Sequence, residues 1–241
     1  MAISGLIPLW RRLLAEFLGS ALLAAVVIGS GIAAVQLSPS ASGLELLENA
    51  LVTAMGLFAL ILTFGPVSGA HFNPIVSLAD TVVGSLHRRH AYAYVSIQVL
   101  GCIVGAILAN VMFSLPAISV STHHRVSAGH LIGEAVATAG LVLVIFSLSR
   151  TGRSNWAAGA VAAYIGAAYF FTSSTSFANP AITVGRVFSD SFAGIAPSSV
   201  LPFILAQLLG GAIGVVLVLA LYPQTTTVHG FVDSSTQGDE H

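Results

Sequence analysis

Two asparagines 106 residues apart, Asn73 and Asn179, each precede a proline. The first lies in Ser68-Gly-Ala-His-Phe-Asn-Pro-Ile75 and the second in Ser176-Phe-Ala-Asn-Pro-Ala181. Asparagine is a strong helix N-cap and proline fits the first helical position, so Asn73-Pro74 and Asn179-Pro180 read as helix starts. A helix start carries unpaired N–H groups and a partial positive charge. Two such ends inside an apolar chain offer donors to a passing oxygen and repel cations. That is the chemistry of a pore, and no nucleophile–base set suggests an enzyme. A second pair, Glu16 and Glu134, sits inside apolar stretches. Carboxylates at such places are costly and functional by default. Their expected task is to accept hydrogen bonds from backbone N–H groups of irregular loops. The competing task is proton coupling in a secondary transporter.

The surroundings make a bilayer the solvent for these residues. Of 241 residues 56% are hydrophobic and 7% charged, against about 25% charged in a soluble domain. All eight basic residues are arginines. The apolar runs are long, rich in Leu, Ala, Val and Gly, and show no alternation, which excludes a soluble β protein. The net charge of −1 says nothing about partners; the bilayer and small neutral solutes are the partners expected, with no nucleic acid. The lone Cys102 has no internal partner and is expected to pack. The first apolar stretch contains Glu16 and no convincing cleavage site, so it is taken as a span.

Six spans are expected, near 13–36, 49–65, 91–115, 129–149, 155–172 and 199–222, each close to the ~20 residues a bilayer requires. Segments 66–89 and 173–198 carry the Asn-Pro pairs and only about ten apolar residues after each, so they are re-entrant candidates. The order repeats: Gln98 with Gly101 and Gly105 echoes Gln207 with Gly210 and Gly214, Glu16 echoes Glu134, and Asn73 echoes Asn179. Each repeat holds three spans and a half-helix. Three is odd, so the repeats (about 8–120 and 127–222) are inverted, the arrangement in which broken helices meet at the midplane. Residues 1–222 form one channel domain and 223–241 a polar tail. With a cytoplasmic N-terminus, Arg11, Arg12, Arg88, Arg89, Arg150 and Arg153 lie inside, and Arg125 and Arg186 outside, which supports that orientation. The expected class is therefore an all-α membrane protein with six transmembrane helices and two re-entrant half-helices.

Over residues 8–222 the chain resembles the aquaporin (major intrinsic protein) family. The twin Asn-Pro boxes, Ser68-Gly-Ala-His71, the glutamates of spans one and four and the inverted three-plus-three repeat carry the likeness. Phe177 to Thr183 and Ser189 to Ile195 resemble a bacterial branch associated with arsenic-resistance operons. The resemblance implies an aquaporin-like fold, a homotetramer in the cell's inner membrane with one pore per protomer, and conduction of small neutral solutes. It implies no cofactor or metal. Carbonyls of Gly69, Ala70 and His71, and of Ser174, Thr175 and Ser176, would replace a solute's water bonds, opposite an apolar wall. His71 is expected to anchor its loop.

The departures from the family pattern bear on selectivity. The family usually places Arg after the second Asn-Pro-Ala, where this chain has Ile182. Ungapped counting puts the other constriction residues at Thr53, Ala167 (or Ala168) and Ser176. Such a ring is small on three sides and lacks the cation, so a wide pore is expected. Arg186, one helical turn beyond Ile182, is expected either to reach back as that cation or to remain a mouth charge. Asp80, seven residues past Asn73 as Arg186 is past Asn179, poses the same choice. Ile75 replaces the usual Ala of the first box, either narrowing the lumen or repacking the contact. The pairs His87/His90 and His123/His124 lack acidic or Cys ligands nearby and read as loop histidines. The leading expectation is a passive channel for water, glycerol-like polyols and neutral metalloid acids such as arsenite. The alternatives are a mainly water-selective pore and an ion-coupled transporter.

Overall fold

A computed structural model describes residues 7–223, and the tail expected beyond Pro223 falls almost wholly outside them. Eight α-helices follow in order: α1 Leu9–Leu37, α2 Ser42–Ser68, α3 Pro74–Val83, α4 Arg88–Met112, α5 Ala128–Arg150, α6 Ala157–Phe171, α7 Pro180–Gly185 and α8 Pro197–Leu221. Five of them, all but α3, α6 and α7, are long and apolar enough to cross a membrane. The sixth expected span, α6, has 15 residues and is prefaced by a 3-10 turn over Ser154–Trp156. The short helices α3 and α7 stand where the re-entrant segments were expected.

Outward faces carry leucine, valine and phenylalanine, such as Leu62, Leu205 and Val216, which stand exposed. For a chain of this composition that exposed apolar surface meets lipid. Little hydrophobic force then holds helix to helix, so close packing must do it. The repeated glycines supply the close packing. A Cβ on Gly101 would lie 2.6 Å from the Phe17 carbonyl oxygen, and one on Gly214 2.7 Å from that of Ala139. Cβ atoms on Gly105 and Gly210 would run into the carbonyls of Ala21 and Ala135. Thus α1 crosses α4, and α5 crosses α8, nearly backbone to backbone. These two crossed pairs enclose the half-helices, and α2 and α6 flank them.

The half-helices start as the sequence predicts. The Asn73 side chain accepts from Ile75 N–H at 2.9 Å, and that of Asn179 accepts from Ala181 and Ile182 N–H at 2.9 and 3.3 Å. Proline occupies the first helical turn of both. Ile75 is buried and packs toward α8, where its Cγ2 fills the place a Gly211 side chain would take, 2.5 Å from a Cβ built there. It is absent from the lining of the central cavity, so it repacks the helix contact. At the pseudo-symmetric places on α7 and α4 the bulk is exchanged, with Ala181 for Ile75 and Cys102 for Gly211.

Candidate functional site

A cavity of about 670 Å³ runs through the protein past both Asn-Pro boxes. One wall is apolar, with Leu57, Ile61, Leu141, Ile145, Val161 and Ile165. The facing strip comes from the two loops that lead into α3 and α7 and includes Gly69, Ala70, His71, Asn73, Ser176 and Asn179.

The strip owes its chemistry to unusual backbone. Gly69, Ala70 and Phe72 have φ of 92°, 51° and 50°, and Thr175, Ser176 and Ala178 have 62°, 50° and 46°. Left-handed conformation is uncommon outside glycine. Here it recurs at matching places of the two loops. Among the described residues no protein donor reaches the carbonyls of residues 69–71 or 174–176. Acceptors without partners on a cavity wall serve whatever passes.

The strained loops are held from behind. Glu16 is fully buried; its carboxylate accepts from Ser68 Oγ at 2.6 Å, His71 N–H at 3.0 Å, Phe72 N–H at 2.8 Å and Gln98 Nε2 at 2.8 Å. Glu134, also fully buried, accepts from Phe177 N–H at 2.8 Å, Ala178 N–H at 2.9 Å and Gln207 Nε2 at 2.6 Å. The two glutamines donate onward to Ser77 and Thr183 at the half-helix starts. From the front the loops strap each other: Asn73 Nδ2 donates to the Ala178 carbonyl and Asn179 Nδ2 to that of Phe72, both at 2.7 Å. Each amide therefore spends one N–H on the opposite loop. The second N–H of each finds no protein acceptor, and both residues line the cavity.

Toward the mouth opposite the N-terminal face the cavity is bounded by Thr53, Tyr169, Ser176, Ile182 and Arg186. Ala167 is not among them. It lies on the exposed outer face of α6, and Ala168 is buried in helix packing without lining the cavity. The register is displaced by two residues, so Tyr169 faces inward and its hydroxyl meets Thr53 Oγ1 at 3.2 Å. The ring thus contains an aromatic where the sequence predicted a small residue. Arg186 is 3% exposed, its guanidinium carbon lies 3.4 Å from the centre of the Phe177 ring, and its Nε donates to the Ala193 carbonyl. At the other end His71 and Asp80 both line the cavity, with His71 Nε2 3.7 Å from Asp80 Oδ2 and His71 Nδ1 3.1 Å from Ser77 Oγ. Tyr169 and Phe177 are the lining residues that sequence reasoning missed. Helix α6 carries two tyrosines, Tyr164 and Tyr169, and the sequence does not say which of them faces inward.

The sequence profile described as Major intrinsic protein matches residues 5–178. The chain is 44% identical over 211 residues to aquaglyceroporin AqpS of Rhizobium meliloti, covering 87% of this chain and 89% of that one. It is 33% identical over 168 residues to the lens fiber major intrinsic protein of Mus musculus, covering 65% and 59%. Its fold is similar to the X-ray structure of the aquaglyceroporin from Plasmodium falciparum, with a TM-score of 0.68 at 21% identity over 90% of this chain and 97% of that one. With the inverted repeat, the paired Asn-Pro helix starts and the profile match in agreement, the chain belongs to the major intrinsic protein family.

Proposed function

We propose that the protein is a passive channel for small uncharged solutes: water, glycerol-like polyols and neutral metalloid acids such as arsenous acid. The observation that carries the reading is the pair of asparagines, each with one amide N–H free at the cavity and the other fixed to the opposite loop. Their positions are over-determined, so a solute oxygen meets two fixed donors and its own hydrogens turn outward toward the loop carbonyls. A chain of water is interrupted there. Two converging helix N-termini disfavour cations at the same place. The apolar wall accommodates carbon–hydrogen faces of a polyol while carbonyls take its hydroxyls. An aquaglyceroporin among the similar proteins, AqpS, agrees with this substrate class.

Thr53, Tyr169, Ser176 and Ile182, with Arg186 behind them, form the selectivity constriction in this reading, and Pro74 and Pro180 fix the helix starts beneath it. Tyr169 and Arg186 also favour a second reading, a tighter and mainly water-conducting pore. Glu16 and Glu134 act as loop supports. Every oxygen of both accepts from loop or glutamine donors, which supports the scaffold role over proton coupling. Six arginines expected on the N-terminal side against two on the other support a cytoplasmic N-terminus, and the family likeness supports a homotetramer in the cell's inner membrane.

Stopped-flow light scattering on proteoliposomes tests the channel. Fast entry of water, glycerol and arsenous acid without an ion gradient is expected. Fast water alone selects the second reading, and flux only under an ion gradient overturns both. Ile182→Arg is expected to slow glycerol and arsenous acid more than water; equal loss of all three would remove the constriction from that position.

A further inference from the structure

Beside the constriction lies a separate recess of about 360 Å³, lined among others by Ser42, Gly43, Thr175, Phe192, Arg125 and Arg186. Its two guanidinium groups flank one ring: the Arg186 carbon lies 3.4 Å and the Arg125 carbon 5.4 Å from the centre of Phe177. Arg125 Nε and Nη2 donate to the carbonyls of Gly194 at 2.6 Å and Phe192 at 2.7 Å. Arg186 Nε donates to Ala193. Among the described residues, Arg125 Nη1 and both terminal nitrogens of Arg186 find no acceptor, although Arg186 is 97% buried (3% exposed).

Neither cation has a counter-ion. No arginine joins a carboxylate within 4.0 Å among the described residues; the two ion pairs present are His71–Asp80 and His123–Asp190. Glu134, a buried carboxylate whose charge reaches both arginines, is consumed by Phe177, Ala178 and Gln207. Glu45, in the first turn of α2, reaches neither arginine. Buried charges are ordinarily paired, because an unpaired one forgoes hydration without compensation. Burial also holds the Arg125 guanidinium below its ordinary proton affinity.

The third contribution is the start of α2. The 27-residue helix begins at Ser42, its N-cap Ala41 offers no side-chain acceptor, and the N–H groups of Ser42 and Gly43 have no partner. Although Glu45 lies in this first turn, the free N–H groups of Ser42 and Gly43 can still serve an anion, which helix N-termini attract through such donors and their dipole. The start of α2 opens on the same recess as the two unpaired guanidinium groups.

We infer that this recess is an oxyanion site, taking one phosphate-type anion between Arg125, Arg186 and the first turn of α2. The chemistry is that of charge-assisted donors meeting several oxygens of one ligand. The same oxyanion chemistry is available from free phosphate and from an anionic lipid headgroup. Because Arg186 borders both the recess and the central cavity, an anion held there narrows the mouth.

Titration calorimetry on the full chain in non-ionic detergent, with sodium phosphate against sodium chloride at matched ionic strength, reads the site without any flux, so this inference and the channel reading fail separately. One saturable phosphate site per protomer is expected. Arg125→Gln should weaken it about tenfold or more, the worth of one charge-assisted hydrogen bond. Because that variant also releases Gly194 and Phe192, Gly43→Asp provides a second test. A Cβ at Gly43 meets nothing within 4 Å, and the new carboxylate would sit in the first turn as a resident anion. It should abolish phosphate binding while raising the melting temperature. If phosphate does not bind but phosphatidylglycerol in phosphatidylcholine nanodiscs stabilises the wild type and not Gly43→Asp, the oxyanion is a lipid headgroup. Absence of both effects, or binding indifferent to both substitutions, overturns the inference.

Discussion

His71 packs edge-on against Tyr94 with ring centres 5.5 Å apart, and at the matching place of the second half Phe177 packs against Phe203 at 5.2 Å. The backbone behind these rings is alike in the two halves: a buried glutamate, a buried glutamine, and a hydroxyl residue (Ser77 or Thr183) at the half-helix start. The rings themselves belong to different environments. Tyr94 hydroxyl donates to the Ser68 carbonyl at 2.9 Å and accepts from Arg12 Nε at 2.8 Å, so the first half is buttressed by a polar chain. Phe177 and Phe203 offer only faces, and cations gather on the first of them. The mouths differ in sign as well, with Asp80 lining the cavity at one end and Arg186 at the other. Where backbone must be held at a fixed depth, both halves use one solution. Where a solute arrives from a different compartment, they diverge.

The largest effect should come from the shared part. Glu134→Ala strands three buried donors, at about 1–3 kcal/mol each, so a loss on the order of 4 kcal/mol and of solute flux is expected. Glu16→Ala strands four and should be at least as damaging. Melting in detergent and proteoliposome flux measure both. Normal flux in either variant would mean that the loops support themselves and that the likeness of the halves is incidental.

Next comes the exchanged bulk at the box contacts. Ile75→Ala opens a void against Gly211 and should cost about 2–5 kcal/mol. Gly211→Cys overfills the same place and should cost about 1–3 kcal/mol. The double substitution gives the α3–α8 contact the residue types found at the matching places on α7 and α4, Ala181 and Cys102, and should recover at least about 1 kcal/mol of the summed loss. Strict additivity in the double-mutant cycle would show that the two positions do not share a packing unit.

A smaller effect separates the polar half from the aromatic one. Tyr94→Phe removes the acceptor of Arg12 and the donor to Ser68, and should destabilise by about 1–3 kcal/mol while leaving the second loop untouched. Glycerol and water flux should fall together, since the whole first loop loosens. An unchanged melting temperature would mean that the His71–Tyr94 packing alone sets the loop.

How much of this was readable before the structure differs by region, for physical reasons. The asparagine caps, the glutamates and the crossing glycines announce themselves because polar or very small residues stand out against an apolar background, and each is repeated. The α6 helix hides its inner face. Its sequence, Ala157 to Phe171, is apolar on every side, and no periodicity distinguishes lumen from lipid, so ungapped counting points to Ala167 where Tyr169 stands. The left-handed backbone at Ala70, Phe72, Ser176 and Ala178 leaves no trace in residue type, because buried hydrogen bonds impose it. The exchange of Ile75–Gly211 for Ala181–Cys102 joins residues more than 70 positions apart and becomes visible only when the helices are laid together.

The smallest effect concerns how each half closes its re-entrant loop. Asp80 Oδ1 accepts from Ser85 N–H at 3.2 Å within its own loop, whereas Asp190 Oδ1 accepts from Thr122 N–H at 2.9 Å across two loops. The Thr122 N–H holds the Asp190 carboxyl below its ordinary value of 3.8, with the Thr122 hydroxyl and His123 adding to it. A carboxyl whose proton affinity falls on folding stabilises the fold when ionised. Its contribution is complete above the unfolded value and disappears as pH falls through the lower folded value. The melting difference between wild type and Asp190→Asn should therefore stay level above about pH 5 and shrink as the pH falls below 3.8. His123 Nε2 lies 3.8 Å from the same oxygen, so the pair is best compared in a His123→Gln background. A difference that grows toward acid pH would reverse the sign of the linkage and detach Asp190 from the tie between the loops. Asp80→Asn should leave the segment 119–123 where it is, because its hydrogen bond never leaves its own half.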